Sequence, residues 1–111
     1  MAKIVLNSIF ILGGYMLSQK QLNAQLINAA KKGELDFVQQ AIQGGAIINA
    51  TDHYGRTALI WAANNDQLKI VQYLIEEGAN VNAEYAGNIT ALIHAAARGH
   101  LQVIQLLRAC S

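Results

Sequence analysis

The chain has 111 residues, 53% of them hydrophobic and 14% charged, which supports one packed domain and excludes a disordered polar chain. Eight Lys and Arg against seven Asp and Glu leave a formal charge of +1, well short of the basic footprint that phosphate-backbone binding requires. A lone cysteine, Cys110, excludes an internal disulfide framework.

In chain order, Lys3 first precedes an apolar stretch from Ile4 to Leu17, interrupted by Asn7 and Ser8 and containing Gly13-Gly14. A basic start, a short apolar core and a small residue at its end are the parts of a secretory signal peptide, with cleavage expected after Ser18. Two other readings of residues 1–18 stay open: an apolar helix capping the domain, and an anchor on a membrane surface. The stretch falls short of the ~20 residues of a spanning helix. Export would place the rest of the chain in the periplasm or outside the cell. Without cleavage it would be cytoplasmic, with a membrane as partner only through the retained segment.

From Leu22 onward a block recurs at a step of 33 residues. Leu26, Leu59 and Leu92 fall in register, as do Ala29-Ala30, Ala62-Ala63 and Ala95-Ala96, then Leu35, Leu68 and Leu101, then Val38, Val71 and Ile104. A period of this size means stacked supersecondary units, none of which can bury its apolar face alone. The units run over about residues 22–54, 55–87 and 88–111, the last incomplete. The first carries polar Asn23, Gln25, Asn28, Lys31 and Lys32, as an N-terminal capping unit would.

The middle unit is the most complete. Thr57 is placed as an N-cap, accepting a hydrogen bond from a free N–H of a helix over about Ala58 to Asn65. Leu59, Ala62 and Ala63 lie on its inner face, the alanines small enough to let neighbouring helices approach. Asp66 stands where the flanking units have Gly33 and Gly99, so a left-handed turn is expected there at some cost. A second helix follows from about Leu68 to Glu76, with Leu68, Val71, Leu74 and Ile75 as its apolar stripe. After Gly78 the polar run Ala79-Asn80-Val81-Asn82-Ala83 forms a hairpin-like connection, in which Asn82, like Asn49 one unit earlier, is expected to hydrogen-bond loop backbone.

The stretches Gly55-Arg56-Thr57-Ala58-Leu59-Ile60-Trp61-Ala62-Ala63 and Asn88-Ile89-Thr90-Ala91-Leu92-Ile93-His94-Ala95-Ala96, with the loop Gly78 to Ala83, resemble the ankyrin repeat over about residues 22–111. The resemblance implies an all-α fold, a helical solenoid of helix-turn-helix units joined by hairpin-like loops. Ala58 and Ala91 replace the family's proline, and Ile60 and Ile93 its histidine, so packing is expected to substitute for that histidine's hydrogen bonds. The chain stops before a polar lid for the last unit, which predicts an exposed apolar edge, a longer protein, or self-association through that edge.

No catalytic, cofactor or metal site is expected. His53, His94 and His100 lack the short spacing of a zinc site, and no nucleophile sits beside a base. What the resemblance implies is a non-enzymatic scaffold that binds another protein, of unknown identity, along its loop tips and first helices. By position this selects Lys31, Lys32, His53, Tyr54, Arg56, Asn64, Asn65, Tyr85, Ile89 and Arg98. Trp61 reads as a packed helix residue bordering the stacking face. Alternatives of other classes are a spacer or stabilising fragment of a longer multi-repeat protein and a membrane-tethered adaptor.

Overall fold

The computed structural model describes residues 11–12 and 15–110. The expected signal peptide or N-terminal helix therefore lies mostly outside the described residues. Its described part is extended: β1 (Ile11–Leu12) and β2 (Tyr15–Met16) pair antiparallel, Ile11 with Met16 and Leu12 with Tyr15.

Six helices come after this hairpin: α1 (Gln19–Lys32), α2 (Leu35–Gln43), α3 (Ala58–Asn64), α4 (Leu68–Glu76), α5 (Ala91–Arg98) and α6 (Leu101–Cys110). Each unit is a helix pair, and the pairs stack so that α3 lies between α1 and α5, while α4 packs between α2 and α6. The sequence expectation holds for both helices of the middle unit, apart from one residue at the end of the first.

Local chemistry starts the inner helices. Thr57 Oγ1 accepts from Ile60 N at 3.2 Å and Thr90 Oγ1 from Ile93 N at 3.3 Å. In the first unit, which lacks that threonine, Ser18 does the same. Its hydroxyl accepts from Gln21 N and its own N–H donates to Gln21 Oε1, a complete capping box. The first helix thus begins three residues before Leu22 and draws on a serine that also reads as the end of a leader. The inner helices end alike, with Gly33, Asp66 and Gly99 all left-handed, at φ +81°, +59° and +72°.

The core is a column of Leu, Ile, Val and Ala running through the three units. Leu26, Ala30, Val38, Leu59, Ala62, Ala63, Val71, Leu74, Ala95, Val103 and Leu107 are buried, so the alanines do set the helix approach. The first unit's polar residues brace its outer half: Asn23 Oδ1 accepts from Ile47 N at 2.7 Å, and Gln25 Nε2 donates to Phe37 O. At the other end the column opens. Ile60 is 1% exposed beneath the third unit, whereas its counterpart Ile93 is 47% exposed, and Leu101 is 71% exposed. Packing does replace the family histidine at Ile60 and does not at Ile93.

Candidate interaction surface

The loop tips between units fold as tight hairpins, bridged at Thr51 and Thr57 in one and at Tyr85 and Ile89 in the other. Each tip places one side chain against an inner helix nine residues later. Trp61 Nε1 donates to Asp52 Oδ2 at 2.9 Å, and Tyr85 Oη is hydrogen-bonded to His94 Nε2, the two rings stacking at 5.6 Å between centroids. Asp52 and Tyr85 are equivalent by the 33-residue step, as are Asn28, Trp61 and His94. The repeat therefore builds a ladder of loop-to-helix contacts along one concave face.

Asp52 organises the middle rung. Its Oδ1 accepts from Tyr54 N at 2.9 Å and Arg56 N at 3.0 Å, and Arg56 Nε lies 3.7 Å from Oδ2. Burial alone would raise its pKa. The N–H groups of Arg56, Trp61 and Tyr54, with the Arg56 charge, outweigh that and hold the carboxyl below its ordinary range. Arg56 in turn lies over three rings, 4.3 Å from the Trp61 centroid, 4.8 Å from Tyr54 and 5.6 Å from Tyr85. Lys31 Nζ reaches the same indole at 4.5 Å. His53 packs its ring against Tyr54, which is 65% exposed.

This cluster walls a groove of about 620 Å³ between α1 and the first loop tip. Of the ten residues selected by sequence, Lys31, His53, Tyr54 and Arg56 line it, and Tyr85 joins them through Arg56. The remaining five sit elsewhere. Asn65 Nδ2 donates to Lys31 O and Arg98 Nε to Asn64 Oδ1, so these side chains staple one unit to the next at the C-terminal ends of the inner helices. His100 completes that seam with a hydrogen bond to Asn64 O and lies 3.8 Å from Asp66. Ile89 is half-buried in its hairpin, and Lys32 is exposed at the end of α1.

Two residues of the groove escaped the sequence reading. Trp61 is packed against the core, as expected, yet its indole is also the platform on which two cations rest. Asp52 gave a local signal: an Asp three residues before Gly55 is placed to bond the backbone of its own turn. Its second oxygen's bond to Trp61 could be seen only once the loop had folded back on α3. Of the two loop asparagines, Asn49 bonds backbone as expected, accepting from Asn80 N in the next loop at 2.9 Å. In that next loop Asn80, not Asn82, supplies the side-chain acceptor.

Among the described residues no group of three or more His, Cys, Asp or Glu could hold a metal, and no helix is long and apolar enough to cross a membrane. The family model for ankyrin repeats, three copies, matches residues 26–111. The chain belongs to the ankyrin-repeat family. No curated protein is similar enough to count as a relative. Ankyrin repeats generally mediate protein–protein interaction and are typically non-enzymatic, in keeping with a concave face built of loop tips and inner helices.

Proposed function

We propose that this ankyrin-repeat chain is a non-enzymatic recognition module that holds another protein on its concave face, centred on Lys31, Tyr54, Arg56 and Trp61. The observation that carries this reading is the convergence of an exposed tyrosine, an arginine and a tryptophan on one groove. These are the residue types that most often anchor interfaces. Their fixed geometry also lowers the ordering cost of binding. A photo-crosslinking amino acid at Tyr54 should trap the partner in the native host, and the same group at Gln72, exposed on α4, should not. Equal yields from both positions would move the interface off the concave face.

A second reading, a stabilising segment within a longer stack, is favoured by the open end of the column. Leu59, Ile60, Ala63 and Val71 are buried, while their counterparts Leu92, Ile93, Ala96 and Ile104 are partly or fully exposed. Covering that face with a further unit or a second copy would raise stability. A sedimentation series over concentration separates self-association from a monomer. Residues 1–18 bear on where the partner resides: their basic start and apolar run favour export with cleavage after Ser18, and an intact mass from the native host beginning near Gln19 would support it. A mass retaining the first residues would favour a tether or cap.

A further inference from the structure

Building on that concave-face reading, we infer that the segment received by the groove is an acidic peptide. Lys20, Lys31 and Arg56 line the groove against one carboxylate, Asp52. Asp52 is already engaged by three N–H donors, from Tyr54, Arg56 and Trp61, and its distance from Arg56 Nε is 3.7 Å. The groove's positive charge therefore lacks a full counter-charge.

The arginine is prepared for an external acceptor. Ring faces fix the guanidinium without consuming its N–H groups. Lys31 Nζ and the Arg56 guanidinium both border the Trp61 indole, which keeps two cationic heads beside the groove. Glutamate or aspartate side chains of the peptide would pair with these cations, and the residues between them would lie on Ala24. Nucleic acid fits less well. Beyond the groove the concave face continues through Tyr85, His94 and Ile89, not through the stripe of lysines and arginines that successive phosphates require.

The test is selection of binders from a displayed library of random twelve-residue peptides, followed by titration of synthetic peptides. Trp61, the chain's sole tryptophan, serves as the fluorescent reporter. The expected result is peptides enriched in Asp and Glu, affinity that falls with added salt, and weakening on the order of tenfold for Lys31→Glu. Lys20→Glu gives a second variant, because a negative charge in the first turn of α1 is compatible with the helix. Unchanged melting of each variant shows that it is folded. Neutral or basic peptides seated on the groove would overturn the acidic partner and leave concave-face recognition standing. Failure to recover any peptide that perturbs Trp61 would overturn both. A mixed-sequence single-stranded DNA that binds more tightly than the selected peptides, and is weakened by the same variants, would replace the peptide with nucleic acid.

Discussion

At Asp66 the backbone is left-handed, φ +59°, in a turn that Gly33 and Gly99 make in the other two units. An L-residue with a Cβ is strained there, and aspartate tolerates it better than most. Asp66→Gly should therefore raise unfolding free energy by up to about 1 kcal/mol in urea denaturation, the exposed contact with His100 giving back little of it. Loss of stability in that variant would mean the Asp66 carboxylate matters more than its backbone. His94 supplies a pH dependence. Burial first, then the charges of Arg56 and Arg98, hold its imidazole below the ordinary value of 6.5. As pH falls, the unfolded chain takes up this proton before the folded one does. The stability contributed by neutral His94 is thus whole above about 6.5 and declines below it, down to the folded-state pKa. Melting temperature should drop between pH 7.5 and pH 5.5, and less steeply in His94→Gln; parallel curves would remove His94 as the source.

At the scale of elements, the same residue type in the same repeat position carries different weight in different units. Ile60, closed over by the third unit, should cost about 2–5 kcal/mol when truncated to alanine, as a cavity-forming change. Ile93, 47% exposed on α5, should cost under about 1 kcal/mol. Equal losses in the two variants would mean that α5 is covered in solution, by self-association or by another segment. The helices also differ in how they start. α1, α3 and α5 have side-chain caps, whereas α2 and α4 come after Glu34 and Gln67 without one. α2 and α4 therefore depend more on packing against their partners than on a side-chain cap at their start.

For the whole molecule, a stack in which each unit touches only its neighbours distributes stability along its axis. The middle unit has neighbours on both sides and the third on one, so amide hydrogens of α5 and α6 should exchange faster than those of α3 and α4. Uniform protection would indicate that the described units unfold as one cooperative block. The same axis organises the concave face. Lys31, Trp61, Arg56, Tyr85 and His94 form a continuous run of ring and cation contacts across all three units. Loosening the stack would loosen the groove.

The period, the helix pairs, the threonine caps, the left-handed Asp66 and the alanine contacts were all legible in the sequence, because each depends on chemistry within one unit repeated in register. The loop tips too were legible as the place to look, and Tyr54 and Arg56 as residues to watch. What the tertiary structure alone decided is which polar residues stand free and which are already bonded. Asn64, Asn65 and Arg98 read as surface in the sequence and serve as staples between units, each bond joining residues 34 apart along the chain. Asp52, which the sequence reading passed over, holds Arg56 and Trp61 in place. A side chain's partner across a stack is set by how far the loop folds back and by how neighbouring helices are offset, and neither quantity is written in the spacing of residues along one repeat.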